Sequence, residues 1–200
     1  MSRFLEALEQ HRDDISVRML PTLLADLKGR LGADTARIEM RFPWFLQRRA
    51  PVSGLQAALD YECNLVGEAT GDTVDIIVGV DVPVSSVCPC SKAISDQGAH
   101  NQQGMLWLEE RSSDPIWMEE LIDTAEAAAS SPVYPLLKRQ DVRHATMQAH
   151  DNPVFVEDMV RNAALRLQAD RRIEWFRVRA ENHESIHNHN AFAQVTGRRR

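Results

Sequence analysis

Residues 57–66 and 73–84 alternate apolar and polar side chains, and the connector Gly67-Glu68-Ala69-Thr70-Gly71-Asp72 between them is rich in turn formers. A period of two belongs to a strand with one buried face, so the pair predicts a β-hairpin. Val74, Ile76, Val78 and Val80 fall on one side of its second strand, Asp75 and Gly79 on the other. A hairpin cannot bury that face alone; the rest of the chain must supply further strands and a covering layer.

It supplies both. Leu5, Leu8, Leu20, Leu23, Leu24, Leu27 and Leu31 recur at helical steps and predict helices over 2–11 and 15–31, the second kinked or divided at Pro21 and stopped by Gly32. Residues 35–45 read as a strand with Ile38, Met40 and Phe42 on one face, and 105–110 as another. Asp114-Pro115 reads as a helix start, running through Glu119, Leu121 and Ile122 to an alanine-rich end broken by the prolines at 132–135. Residues 136–151 are polar and mixed and favour no element. Asn152-Pro153 opens a last helix whose apolar side is Phe155, Met159, Val160, Ala163, Ala164 and Leu167. Residues 172–181 alternate as a strand, with Ile173, Trp175, Arg177 and Arg179 facing one way and Glu174, Phe176 and Val178 the other; 187–195 reads as the final strand. The sum is one α+β domain over residues 1–200 with a largely antiparallel sheet.

Bulk properties narrow the function. A net charge of −6 disfavours a general nucleic-acid binder while leaving room for a phosphorylated small molecule in a locally positive pocket. The terminal Arg198-Arg199-Arg200 reads as a solvated tail. No apolar run is long enough to cross a membrane, no basic-then-apolar leader opens the chain, and three cysteines argue for a reducing compartment over a disulfide framework. Cytoplasm is the expected location. Two of those cysteines fall in Ser85-Ser86-Val87-Cys88-Pro89-Cys90-Ser91-Lys92, with Gly98-Ala99-His100-Asn101-Gln102 close behind. Thiolate and imidazole suit a borderline-soft divalent metal, so this loop fits an open metal site or an activated thiol; the plain alternative is a proline turn with two inert thiols. Cys63, inside a predicted strand, reads as core.

At Cys88–Gln102, and again at Glu181-Asn182-His183-Glu184-Ser185-Ile186-His187-Asn188-His189, the chain resembles GTP cyclohydrolase of the IB type. Phe42-Pro43-Trp44-Phe45, Ala50-Pro51-Val52-Ser53-Gly54, Leu137-Lys138-Arg139 and Asn152-Pro153-Val154-Phe155-Val156-Glu157-Asp158 extend the resemblance nearly end to end. It implies the tunnelling fold, an antiparallel sheet with paired helices closed into a barrel by subunit association, and a homo-oligomer, a tetramer by family habit. It also implies conversion of GTP and water to 7,8-dihydroneopterin triphosphate and formate, the first step of tetrahydrofolate biosynthesis, at a divalent metal (Mn²⁺, Zn²⁺ or Fe²⁺) between subunits. Neither nucleic acid nor membrane is an expected partner.

Carried over position by position, the resemblance makes Cys88 and His100 metal ligands and Cys88, Glu184 and His187 catalytic. Glu157 would hold guanine, one carboxylate accepting from N1–H and the exocyclic amine together. Lys92, Lys138 and Arg139 would contact the triphosphate. Plain alternatives exist: acidic residues favour a helix's first turn, which would explain Glu157 as well as Asp158, and basic side chains are mostly solvated surface. Cys90 is expected beside the site, and His189 is left open. The chain departs from the family where a metal-binding glutamate is replaced by Val142, where Gln103 replaces a basic residue, and where Met1 corresponds to a point inside the family's sequence. Those departures support an alternative reading, a tunnelling-fold relative that binds a purine or pterin without turnover. A redox protein using Cys88 and Cys90 as a dithiol is a further one.

Overall fold

The computed structural model describes residues 2–11 and 16–199. In chain order the elements are α1 (Ser2–His11), α2 (Leu20–Leu31), β1 (Thr35–Arg49), β2 (Gln56–Thr70), β3 (Thr73–Val87), α3 (Pro89–Ile94), β4 (Asn101–Ser112), α4 (Met118–Glu126), β5 (Ser131–Pro132), α5 (Arg139–Asp151), α6 (Val156–Ala169), β6 (Ile173–Asn182) and β7 (Ala191–Arg198). The sheet is antiparallel in the order β1-β2-β3-β4-β6-β7, with the short β5 also on β3. Buried Val78, Val80, Val82, Val84, Leu106, Leu108, Val178 and Ala180 form one face, covered by Leu121, Ile122 and Ala125 of α4 and Met159, Val160, Ala163 and Leu167 of α6. Leu23, Leu24 and Leu27 of α2 cover the near end with Ile38 and Ala69. The other face carries Arg179 over the Trp107 ring and Arg111 over Trp175, paired as cation–π contacts.

The hairpin is longer than the sequence suggests. Residues 67–70 belong to β2, and the turn is Gly71-Asp72 alone, Gly71 adopting φ 56° between the paired Thr70 and Thr73. Pro21 lies in the first turn of α2, where a missing N–H costs nothing, so it opens that helix and does not kink it. The start expected at Ile15 lies outside the described residues, as does Arg200 of the basic tail. Gly32, at φ 61°, ends α2 as expected.

Pro83 interrupts a central strand. Pairing of β3 with β2 ends at Glu62↔Asp81, two residues before it, and pairing with β5 begins at Val84. A residue without an N–H occupies the gap, and beyond it the β1–β2 arm leans onto α4. There Trp44 Nε1 donates to Glu119 (3.3 Å), Arg48 Nε to Tyr61 Oη (2.8 Å), and Tyr61 Oη to Glu126 (2.7 Å).

Other expectations shift for identifiable reasons. Asp114-Pro115 precedes α4; its capping residue is Trp117, whose backbone N–H is taken by Glu120 (3.0 Å). Likewise α6 begins at Val156, after Asn152-Pro153. Residues 139–151, which favoured no element, form α5 with only Asp141 and Ala149 buried. In β6 the register against β4 shifts between Arg111 and Ser112, so Ile173 faces the core with Phe176 and not with Trp175. Residues 187–190, expected at the start of the last strand, lie in the loop before β7.

Glu110 of β4 is fully buried, and burial pushes its carboxyl up to about 7. A folded-state value above the unfolded one means the native state holds the proton more tightly, so stability is greatest below the ordinary carboxylate range and declines as pH rises toward about 7. Glu110→Gln is expected to flatten that decline, worth at most about 3 kcal/mol, in urea unfolding compared at acidic and mildly alkaline pH.

Candidate active site

The end of β3, the start of β4, the end of β6 and the start of β7 meet at one end of the sheet. The last β3–β4 pair is Val87↔Asn101, which makes Cys88 and His100 the first residues past the ladder on each side. The Cys88 backbone N–H donates to the His100 carbonyl (3.1 Å). Cys88 then caps α3, whose first residue is Pro89. Ser91, one turn on, closes the loop: its hydroxyl donates to the Cys88 carbonyl (3.2 Å) and accepts the His100 N–H (3.1 Å).

Behind them lies a buried polar layer. His100 Nδ1 is 2.9 Å from Gln102 Oε1, and Gln102 Nε2 is 3.4 Å from Glu184 Oε1. Ser185 Oγ approaches the same His100 nitrogen at 3.3 Å. Asn182 donates to Ser86 Oγ (3.2 Å), and Ser86 to the Val154 carbonyl (3.0 Å). Gly104, opposite Asn182, has no room for a side chain: a Cβ would stand 2.4 Å from Asn182 Oδ1. The Val154 N–H returns to the Val87 carbonyl (3.1 Å), and this bond brings the start of α6 to the same end of the sheet.

The sequence-predicted residues divide accordingly. Cys88, His100 and Glu184 come together. Glu157 is exposed on the first turn of α6, near this end. Lys92 is half-buried, its ammonium donating to the His150 carbonyl at the far end of α5. His187 is exposed and stacks on His189, ring centroids 5.1 Å apart, while His183 contacts Asn190. Lys138 and Arg139 lie at the opposite end of α5 from His150, on the order of 16 Å along its axis. Cys90 is exposed, and all three cysteines are free thiols; Cys63 is core, its thiol pushed up to about 12 by burial.

Cys88 and His100 would offer a sulfur and a nitrogen donor of the kind that suits a zinc-like ion, one protein donor short of the usual catalytic set. Among the described residues no group of three His, Cys, Asp or Glu side chains could hold a metal. Val142 is half exposed on α5. Asp141, beside it, is committed elsewhere: its carboxylate accepts from Val52 N (2.8 Å), Ser53 N (2.7 Å), Ser53 Oγ (2.6 Å) and Lys138 N (2.8 Å). Burial alone would raise its pKa, but these bonds outweigh that and hold it well below the usual carboxylate range. Asp141 thus fastens the 50–54 turn to the start of α5.

Sequence reasoning passed over Gln102 and Ser91, although both lie in the quoted motifs. Gln102 stands two residues from His100 in an extended segment, the spacing that shares a face.

In fold, the chain is similar to urate oxidases. It superposes on uricase from Arthrobacter globiformis with a TM-score of 0.57 at 12% identity, covering 97% of this chain and 74% of that one. For a mutant urate oxidase from Bacillus sp. TB-90 the values are 0.58, 11%, 98% and 77%. This bears out the tunnelling fold, here with the sheet unclosed in a single chain. In sequence, the profile for type I GTP cyclohydrolase folE2 matches residues 1–193. GTP cyclohydrolase FolE2 of Methylococcus capsulatus is 50% identical over 195 residues, 98% of this chain and 73% of that protein. The Pseudothermotoga lettingae protein of the same name is 47% identical over 195 residues, 98% of this chain and 76% of its own. The chain belongs to the type I GTP cyclohydrolase folE2 family, and the expectation of a folate-pathway GTP cyclohydrolase enzyme holds under that description in place of the IB designation.

Asp141→Ala is expected to lower the thermal midpoint by several degrees, with Asp141→Asn, which keeps one acceptor oxygen, losing less. Differential scanning calorimetry measures both. Because the folded-state value is depressed, the contribution is present above the ordinary carboxylate range and disappears as acid titrates the group.

Proposed function

We propose that this chain hydrolyses GTP to 7,8-dihydroneopterin triphosphate and formate at the Cys88 end of its sheet. The observation that carries the reading is the convergence of Cys88, His100 and Glu184 at the ends of three strands. Cys88 and His100 would hold a divalent ion (Mn²⁺, Zn²⁺ or Fe²⁺), which when bound acidifies water for addition to a purine C8. Glu157 accepts from the guanine N1–H and exocyclic amine, fixing the base by a charge-assisted pair of hydrogen bonds. Glu184, held near Gln102, and His187, on the same loop, move protons as one water opens the imidazole ring at a first C8–N bond and a second water hydrolyses the other, releasing formate.

Lys92 retains N–H donors beyond the one given to His150 and can meet a phosphate near the site. Lys138 and Arg139 lie a helix length from His150, the residue Lys92 touches, so their triphosphate role is best supported in an assembly where a neighbouring copy supplies them. A homo-oligomer, a tetramer in this reading, closes the barrel that one copy leaves open. The chain acts as a single domain, in the cytoplasm. No helix among the described residues is long and apolar enough to cross a membrane.

Purified protein incubated with GTP and Mn²⁺ or Zn²⁺, then oxidised and assayed for neopterin fluorescence, is expected to show turnover that Cys88→Ala abolishes. Glu184→Gln is expected to lower kcat by about 10²–10⁴-fold. Turnover unchanged in Cys88→Ala would overturn the assignment. The second reading, a relative that binds without turnover, is favoured by one observation: among the described residues no group of three His, Cys, Asp or Glu side chains could hold a metal, and Val142 stands exposed on α5 with no donor to offer. It predicts no product from the unmodified chain and product from Val142→Glu in the same assay.

A further inference from the structure

We propose that Gln102 is a positioning residue that fixes which nitrogen of His100 is offered to a metal and ties that choice to Glu184. The proposal rests on the reading of His100 as a metal ligand.

Gln102 is the second residue of β4 and only 8% exposed. A primary amide withdrawn from water must pair both its oxygen and its nitrogen inside the protein. Gln102 has His100 Nδ1 at 2.9 Å from one end and Glu184 Oε1 at 3.4 Å from the other. The two ends of an amide are alike in shape, so chemistry decides their orientation. An ionised carboxylate only accepts, so the NH₂ must face Glu184. The amide oxygen, which also only accepts, is then left facing Nδ1. In a neutral imidazole one nitrogen carries the hydrogen and the other a lone pair. Nδ1 therefore carries the hydrogen, and Nε2 is the nitrogen with a lone pair to donate.

The same arrangement fixes the ring plane. His100 is held through its backbone by Cys88 and Ser91, and through its ring by Gln102, with the Ser185 hydroxyl 3.3 Å from the same nitrogen. Metal-bound histidines commonly donate their second nitrogen to a carboxylate or carbonyl; here a buried amide fills that role and extends it to a second candidate group. The backbone of Gln102 is itself fixed, paired with buried Ser86 across the β3–β4 ladder.

Two substitutions separate the two ends of the amide. Gln102→Met keeps the length and removes both hydrogen bonds. Gln102→Glu keeps the acceptor for His100 and removes the donor to Glu184. Zn²⁺ affinity is read by competition with a chromogenic chelator, alongside kcat and KM for GTP and a thermal melt. Gln102→Met is expected to weaken Zn²⁺ binding by about 10–100-fold. Gln102→Glu is expected to hold Zn²⁺ within about threefold of the unmodified chain while kcat falls about tenfold or more with KM little changed.

His100→Ala runs in parallel. Unchanged Zn²⁺ affinity in folded Gln102→Met, with affinity lost in His100→Ala, overturns the role of Gln102 and leaves the metal reading standing. Affinity unchanged in both overturns the metal reading and the inference with it. Should Gln102→Met fail to fold, Gln102→Glu decides by its kcat: a kcat equal to that of the unmodified protein overturns the proposal.

Discussion

The antiparallel ladder between β3 and β4 runs from Val78↔Glu110 to Val87↔Asn101, and its last pair determines where chemistry can occur. Cys88 and His100 are separated by a helical turn and a loop in sequence, yet they are the first residues past the ladder and share a backbone hydrogen bond. A slip of one residue in that register would move the core face of β4 to the other side of the sheet. The buried run Val78, Val80, Val82 and Val84 facing Leu106 and Leu108 excludes such a slip. Hydrophobic burial deep in the sheet therefore sets the position of two polar side chains at its rim.

The rim is held differently from the interior. Ser86, Gln102, Asn182 and Ser130 are buried: Asn182 of β6 donates to Ser86 of β3, Ser86 to the Val154 carbonyl just before α6, and the Val87 N–H to the Ser130 hydroxyl, while Asn182 Oδ1 is left without a partner among the described residues. Each bond is worth little net, but leaving any of these groups unpaired would cost more than the bond gains. Specificity of arrangement is the result: the ends of β3, β4 and β6 can close in one way. Pro83 contributes from the other direction, ending the β2 ladder and leaving that flank of β3 to Ser131-Pro132.

Much of this was legible in the residues, and what was not has local causes. The hairpin, the leucine-rich α2 with its Gly32 stop, and the motif around Cys88 declare themselves by period, turn chemistry and residue type. Helix α5 does not, because it buries little beyond Asp141 and Ala149 and so shows no apolar stripe. The inward turn of Ile173 depends on a bulge in β4–β6 pairing, a property of two strands that neither sequence carries alone. Asp114-Pro115 looks like a helix start, but Ile116 is buried before the helix begins, and Trp117 takes the cap. The separation of Lys138 and Arg139 from His150, which Lys92 touches, follows from the length of α5, which motif order along the chain does not encode. Gln102 was within reach, two residues from His100 on one strand face.

The two borders of the sheet are not equivalent. β1 carries Pro43 at mid-length and places Arg37, Arg41, Arg48 and Arg49 along its run, features that repel a stray strand. β7 has no proline and leaves Phe192 and Val195 exposed. The two borders therefore offer a neighbouring copy different chemistry, an arginine-rich strand broken by a proline on one side and an unbroken strand on the other.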